Sequence, residues 1–200
     1  MVDPGANTVM GQIKGKGRMS LELTNYFFQL LRKENIPTHL VAMHIGRNAM
    51  EVKEAFLPGK DVDGKGGLEF VCRRRAYGSF IKRYRKYVKE ELQNLNHLVE
   101  ITLKDDERGD PLINDDTIVT LGLLSATNLK KAKDMTRRIA MAIEDDILNK
   151  DLVLVDMKVE FGLINNEVVL IDEISADSMR VVKDGKILAH EELYRCIIAT

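Results

Sequence analysis

The chain has 200 residues, of which 44% are hydrophobic and 30% charged, and its formal net charge is -1. This composition is typical of a globular protein with a sizeable core. The near-neutral charge gives no field that would recruit nucleic acid or an acidic membrane, and two cysteines are too few for a disulfide framework. With no signal peptide and no long apolar run, the sequence predicts a cytoplasmic protein.

The first residues are glycine-rich, and a helix is predicted after them. Val9 to Ile13 resembles part of a strand, whereas Lys14 to Gly17 does not complete a phosphate-binding loop and indicates a basic loop. From Ser20, which can cap a helix, an apolar stripe predicts a helix to about Asn35. A short strand is predicted at His39 to Met43. Residues 46–67 are predicted to be irregular because glycine and proline turns recur there.

The next apolar stretch ends in a basic cluster. Leu68 to Cys72 predicts a strand, and it runs into Arg73 and, a few residues on, Gly78 and Ser79. Arginines followed by a glycine and a hydroxyl are typical of a phosphate cradle. The basic and aromatic residues after Ser79 suggest either a nucleic-acid surface or a solvated helical face, and the acidic residues among them favour the solvated face.

Two further elements precede the most informative stretch of the chain. His97 to Leu103 predicts a strand, and the charged turn Lys104 to Pro111 after it indicates an exposed loop. Leu129 to Asn149 predicts the longest helix, because its leucines, isoleucines and methionines recur on one side. This helix leads directly into a predicted hairpin.

The hairpin lies within Leu152 to Arg180 and carries alternating charge. One face of a strand carries Asp156, Lys158 and Glu160, and the opposite face carries Val153, Val155, Met157, Val159 and Phe161. Asn165 and Asn166 tolerate the backbone of a tight turn, so residues 167–174 are predicted to return antiparallel.

The length of the turn decides where Asp172 points. A two-residue loop places Asp172 opposite Val159 and away from Glu160, whereas a three-residue loop places Asp172 on the charged face. An exposed face of this kind is ordinary solvated sheet surface. In a cleft, the carboxylates require a pairing partner or a cation, and hard oxygen ligands suit Mg²⁺.

Six motifs in order along the chain resemble the phosphoribosylaminoimidazole-succinocarboxamide synthase (SAICAR synthetase) family. Their specificity lies in their combination across roughly residues 11–180. The motifs are Lys16-Gly17, residues 35–39 (NIPTH), 69–80 (EFVCRRRAYGSF), 104–111 (KDDERGDP), 154–162 (LVDMKVEFG) and 172–180 (DEISADSMR).

The resemblance implies an α+β fold with a two-lobed, kinase-like ATP-binding architecture of antiparallel sheets and packed helices. Residues 1–68 would be the remainder of the N-terminal ATP-binding lobe with its hinge, and residues 69–200 the C-terminal catalytic lobe. The family's glycine- and lysine-rich turn has no counterpart in the sequence, so the N-terminal lobe is expected to be incomplete.

The resemblance also implies the activity. Family members join carboxyaminoimidazole ribonucleotide (CAIR) to L-aspartate with ATP and Mg²⁺, giving SAICAR, ADP and phosphate in purine biosynthesis. The alternative is a truncated, non-catalytic relative that binds a nucleotide or ribonucleotide. The sequence leaves the oligomeric state open, a homo-oligomer included.

Ten residues carry the implied site. The ribonucleotide-binding residues would be Arg73, Ser79 and Arg180. The ATP-binding residues would be Lys16, Lys104, Glu160 and Asp172, the last two also as Mg²⁺ ligands. The catalytic residues would be Asp110, Asp156 and Lys158. A three-residue turn, with Asp172 sharing a face with Glu160, is therefore expected.

Overall fold

The structure, a computed structural model, describes residues 2–3, 8–9 and 14–199. Its helices are α1 (Lys16–Lys33), α2 (Gly78–Tyr84), α3 (Asp115–Thr120), α4 (Ala126–Leu148) and α5 (His190–Ile198). Its strands are β1 (Val2–Asp3), β2 (Thr8–Val9), β3 (Leu40–His44), β4 (Ala49–Val52), β5 (Leu68–Arg75), β6 (Asn94–Leu103), β7 (Val153–Ile164), β8 (Glu167–Ile171), β9 (Met179–Lys183) and β10 (Lys186–Ile187). Short 3-10 turns lie at Ile45–Arg47 and Asp106–Arg108.

The main sheet has the order β10-β9-β7-β5-β6, and β8 also pairs with β7. The pairs β5-β6, β5-β7, β7-β8 and β7-β9 are all antiparallel. Smaller two-stranded sheets are formed by β1 with β2 and by β3 with β4. The fold is therefore α+β, which confirms the fold class expected from the sequence.

One face of the main sheet forms the core. Helix α4 packs on β5, β6, β7 and β8, and α1 packs on α4 and α5. Phe27 of α1, Ile139 of α4 and Met157 of β7 are almost completely buried in this core. Because side chains alternate along a strand, the opposite face of the sheet is left for the polar residues. No helix in the described part of the chain has the length and apolarity needed to cross a membrane.

Most elements lie close to their predicted positions, with shifts at the ends. Helix α1 begins at Lys16 and not at Ser20: Gly15 adopts a left-handed backbone (φ 77°), and Ser20 is buried within the helix. The long helix α4 begins at Ala126, where Ser125 accepts a hydrogen bond from the Asn128 backbone. The predicted irregular segment 46–67 contains β4. Of the predicted strand Val9 to Ile13, Val9 lies in β2 and the other residues lie outside the described part.

The expected three-residue turn between β7 and β8 is wrong. Ile164 pairs with Glu167, so Asn165 and Asn166 alone form the loop, both with positive φ (51° and 64°). The register Glu160↔Ile171 places the position after Ile171 on the opposite parity from Glu160. Strand β8 ends at Ile171, earlier than predicted, because Asp172 adopts a left-handed backbone (φ 63°).

Candidate active site

The polar face of the main sheet lines a cleft of about 650 Å³. Side chains from β5, β6, β7 and β9 form its floor, and the segments around Ser79, Gly109 and Asp177 form its walls. The site residues predicted from sequence that line it are Arg73, Ser79, Asp110, Asp156, Lys158 and Arg180. The charged face of the β7 strand is therefore a cleft floor and not open sheet surface.

Three aligned residues make one end of this floor. Arg73 of β5 pairs in register with Asp156 of β7, and Asp156 pairs with Arg180 of β9. Arg73 Nη1 donates to Asp156 Oδ2 at 2.8 Å, while Arg180 Nε and Nη2 donate to Asp156 Oδ1 and Oδ2 at 2.8 and 2.5 Å. Asp156 is 4% exposed, so these two arginines neutralise a buried carboxylate.

A β-bulge produces this alignment. The register between β7 and β9 shifts by one residue between Leu154 and Asp156, which brings Asp156 opposite Arg180. Without the extra residue, Val155 would stand opposite Arg180 instead. Bulges commonly adjust the alignment of side chains next to an active site, and this one places Asp156 opposite Arg180.

The Arg180 guanidinium is also held from the side of the loop before α2. Its Cζ atom lies 5.1 Å from the centre of the Tyr77 ring, a cation–π distance. Gly78 (φ 53°) approaches so closely that a Cβ atom there would lie 2.3 Å from Arg180 Nη1. A side chain at residue 78 would therefore displace Arg180, which explains the glycine before Ser79.

Arg73 has further partners besides Asp156. Its Nε donates to Glu100 Oε2 at 3.0 Å and its Nη2 donates to Ser79 Oγ at 3.0 Å. Glu100 Oε2 also accepts from Arg83 Nη2 at 2.5 Å. Arg83 lines the cleft, although the sequence favoured a solvated helical face for it.

Lys158 lies in the middle of the floor beside Glu69. Its Nζ donates to Glu69 Oε1 at 2.6 Å, and Glu69 Oε2 accepts from Thr102 Oγ1 at 3.0 Å. Burial acts to lower the pKa of Lys158, but the hydrogen bond that Lys158 donates to Glu69 and the charges of Glu69 and Glu160 outweigh burial, so the pKa lies above its ordinary value. Lys158 is therefore a fixed positive charge.

Lys104, Glu160 and Asp172 form a second group next to Lys158, and these three residues are not among those that line the cleft. Lys104 Nζ donates to Glu160 Oε1 at 2.8 Å, and this hydrogen bond raises the pKa of Lys104. Burial raises the pKa of Glu160 despite that hydrogen bond, and the negative charge of Asp172 adds to the increase. Asp172 thus lies near Glu160 even though the turn has two residues. Its left-handed backbone separates it from the alternation of β8.

These two carboxylates fit a Mg²⁺ ion shared with a substrate, but they do not form a closed protein site. Among the described residues, no group of three or more His, Cys, Asp or Glu side chains is arranged to hold a metal. Mg²⁺ usually takes one or two carboxylates together with phosphate oxygens and waters. The pKa of Glu160 is raised by burial and further by the negative charge of Asp172, and this proximity of the two carboxylates is consistent with such a partial ligand set.

The remaining predicted site residues lie at the edge of the cleft. Lys16, the first residue of α1, pairs with Asp177 at 2.8 Å, and Asp177 lines the cleft wall. Asp110 (φ 50°) accepts a hydrogen bond from the Asp105 backbone at 2.9 Å and so closes the charged turn. Most of that turn is exposed, as predicted.

Sequence reasoning missed Glu69, Glu100, Thr102 and Arg83. The first three alternate with apolar residues on β5 and β6, so the alternation could have shown that they share a face with Arg73. Arg83 had no such signal, because a helix seven residues long gives no clear periodicity. Arg74, next to Arg73, points to the other face and donates to Glu144 Oε1 at 2.5 Å.

The α+β fold and a cleft floored by paired cations and carboxylates define an enzyme that handles anionic small molecules. A family model described as SAICAR synthetase matches residues 6–192. The phosphoribosylaminoimidazole-succinocarboxamide synthase of Clostridium tetani is 44% identical over 198 residues, which cover 98% of this chain and 84% of that protein. The chain belongs to the SAICAR synthetase family, a family of ligases.

Solved structures agree with this assignment. The SAICAR synthetase of Pyrococcus horikoshii OT3 aligns with a TM-score of 0.86 and 28% identity, covering 100% of this chain and 89% of that one. A SAICAR synthetase in complex with ADP aligns with a TM-score of 0.85 and 29% identity, covering 97% and 85%. The family expected from the sequence motifs is thus confirmed.

Proposed function

We propose that the chain is an ATP-dependent ligase that joins CAIR to L-aspartate, giving SAICAR, ADP and phosphate. The observation that carries the proposal is the row Arg73, Asp156 and Arg180 in one cleft with the pair Lys158–Glu69, beside which lies the pair Lys104–Glu160. Two relatives add support: one synthetase was solved with ADP, and the Clostridium tetani relative carries the synthase name at 44% identity.

The arginine row is the proposed end for the ribonucleotide. Arg180 is partly exposed and Ser79 is exposed, so both can reach a phosphate in the cleft. Arg73 lies behind them and donates to both Asp156 and Ser79. Guanidinium groups with a neighbouring hydroxyl are well suited to a phosphate monoester.

The group formed by Lys104, Glu160 and Asp172 is proposed to be the end of the site that receives ATP. Lys104 and Lys16 compensate the charge of the nucleotide phosphates, and Lys158 lies between the two ends, where a transferred phosphoryl group would pass. The phosphoryl group moves from ATP to a carboxylate oxygen of CAIR, and ADP leaves. The amine of aspartate then attacks the acyl carbon, phosphate departs with the bonding electrons, and the amine loses its proton. Asp156 and Asp110, the other two proposed catalytic residues, line the same cleft as Lys158.

Glu160 and Asp172 would hold Mg²⁺, which would neutralise charge on the ATP phosphates when bound. The proposed setting is the cytoplasm, and the proposed partners are small molecules: ATP, CAIR and L-aspartate.

The test measures ADP and phosphate release by the purified protein. We expect release to require ATP, CAIR and aspartate together, and to stop when Mg²⁺ is chelated. Lys104→Gln is expected to lower the rate, whereas Lys131→Gln, which removes an exposed charge paired with Glu167 outside the cleft, is the matched control. Binding of ATP and CAIR without any release would instead support a non-catalytic relative.

A further inference from the structure

Five side chains of alternating charge form a continuous chain across one end of the cleft. We call it the arginine–carboxylate chain: Arg83, Glu100, Arg73, Asp156 and Arg180. Each neighbouring pair is joined by a hydrogen bond between 2.5 and 3.0 Å. Each carboxylate thus lies between two arginines, and an arginine stands at both ends.

Burial differs along this chain. Arg73 in the middle is 5% exposed and already donates to Glu100, Asp156 and Ser79. The side chains of the two end arginines, Arg83 and Arg180, are 30% and 35% exposed, and both line the cleft. A ligand in the cleft therefore meets the two ends before it meets the centre.

The charges of this chain do not cancel. Three guanidinium groups face two carboxylates, so one positive charge is left, and the exposed ends are where an anion can use it. Arg83 is also supported, because its Cζ atom lies 5.4 Å from the centre of the Tyr84 ring. Arg180 has the corresponding contact with Tyr77. Both end groups are thus supported by an aromatic ring, which reduces the ordering needed on binding.

We propose that Arg83 is a second phosphate-binding arginine for the ribonucleotide, at the opposite end of the arginine–carboxylate chain from Arg180, with Ser79 bound to Arg73 in the middle of the chain. This inference rests on the proposed function. Arg73 binds both carboxylates, Glu100 and Asp156, and these carboxylates orient the two end arginines. A phosphate monoester, with close to two negative charges and three oxygen acceptors, is the ligand that two guanidinium groups and a hydroxyl suit best.

The test is calorimetric binding of CAIR and, separately, of ATP to the full chain. Arg83→Gln is expected to weaken CAIR binding about tenfold, the size expected for one charge-assisted hydrogen bond, and to leave the affinity for ATP unchanged. Arg83→Lys, which keeps the charge, is expected to recover part of the loss. The matched control is Lys82→Gln, which removes a positive charge from an exposed neighbour on α2 that does not line the cleft.

A second measurement separates phosphate binding from a structural role. The nucleoside corresponding to CAIR lacks the phosphate. The Arg83→Gln variant is therefore expected to bind CAIR more weakly than the wild type does, but to bind the nucleoside with the same affinity as the wild type. Equal losses for both, or unchanged CAIR binding, would overturn the proposal. If the wild-type protein itself fails to bind CAIR, the proposed function fails first, and that result is distinct from a failure of Arg83 alone.

Discussion

Asp156 depends on its neighbours more than any other site residue described above. It is buried and accepts hydrogen bonds from two arginines, so its charge is favourable only while both remain. The reverse also holds, since Arg73 and Arg180 are oriented by the same carboxylate. A change at residue 156 therefore affects stability and ligand binding together.

Asp156→Asn is expected to destabilise the protein by about 3 kcal/mol, because it leaves the Arg180 guanidinium without its carboxylate and the buried Arg73 with Glu100 as its remaining carboxylate. The melting temperature should fall by on the order of 10 °C in a thermal scan. Asp134→Asn is the control: Asp134 pairs with Lys130 and Arg137 on the exposed side of α4, and its loss should cost less than about 0.5 kcal/mol. Similar shifts for the two variants would contradict the importance of the buried pair.

Gly78 is expected to control the position of Arg180. Gly78→Ala puts a Cβ atom within 2.3 Å of Arg180 Nη1, so we expect the KM for CAIR to rise about tenfold or more with little change in the KM for ATP. Gly122→Ala is the matched control, since Gly122 also has a positive φ (67°) but meets nothing within 4 Å. Equal kinetic effects in the two variants would show that backbone strain, and not the contact with Arg180, is responsible.

The pH dependence of stability is expected to report on Glu160. Burial raises its pKa above the ordinary 4.5, so the folded state disfavours the charged form, and this penalty grows as pH rises from 4.5 through the folded pKa. Glu160→Gln should therefore be more stable than the wild type at pH 7 and equal to it below pH 4.5, while ligase activity falls. Denaturant unfolding at both pH values measures this. If the variant were less stable than the wild type at pH 7, the charged Glu160 side chain would not carry the expected free-energy cost of burial.

At the scale of elements, the β7–β8 hairpin shows what the sequence could and could not predict. Alternation alone placed Asp156, Lys158 and Glu160 on one face, because period two is enforced by the strand itself. The loop length could not be derived, since Asn165 and Asn166 suit several turns. The bulge at Leu154–Asp156 was also missed, as it depends on pairing with β9, which is distant in sequence.

The helices also show which features could be predicted from the sequence and which could not. The apolar stripe of α1 was visible, but its start depends on the left-handed backbone of Gly15, which the pattern of later residues does not encode. The family motifs supplied the site residues that local patterns could not. Glu69 and Glu100 nevertheless had a usable signal in the alternation of their own strands.

The turn between β7 and β8 is expected to tolerate glycine at residue 165 but not a β-branched residue. Asn165 is exposed with φ 51°, so Asn165→Gly should leave the free energy of unfolding nearly unchanged, whereas Asn165→Ile should lower it by about 1–2 kcal/mol, because a β-branched residue is strained there. Chemical denaturation of both variants measures the difference. Equal stability would indicate that the turn adopts another conformation in solution.

At the scale of the whole molecule, the division between residues 1–68 and 69–200 stays a prediction. The two parts share one core, because Leu23, Phe27 and Leu31 of α1 are buried in the same cluster as residues of α4 and β7. The segment 53–67 between β4 and β5 is irregular, and residues 61–66 are all exposed. If the proposed hinge lies in this segment, a protease should be able to cut the segment while the shared core stays folded.

Brief trypsin treatment is therefore expected to cut first after Lys60 or Lys65. The two pieces should still elute together in size-exclusion chromatography, because the shared core holds them, and they should separate in denaturant. A Lys60→Gln/Lys65→Gln double variant should resist this early cut, with the products identified by mass spectrometry. Early cleavage within α4, or pieces that separate under native conditions, would contradict the expectation.

The two faces of the main sheet have a consequence for folding. The residues of the cleft floor alternate with core residues on the same strands: Arg73 follows Cys72, and Lys158 follows Met157. A slip of one residue along β5 or β7 would drive these charges into the core and expose apolar side chains in their place. The charged groups proposed to bind substrate therefore also act against misaligned strand pairing, and removing several at once should yield a protein that refolds less uniformly.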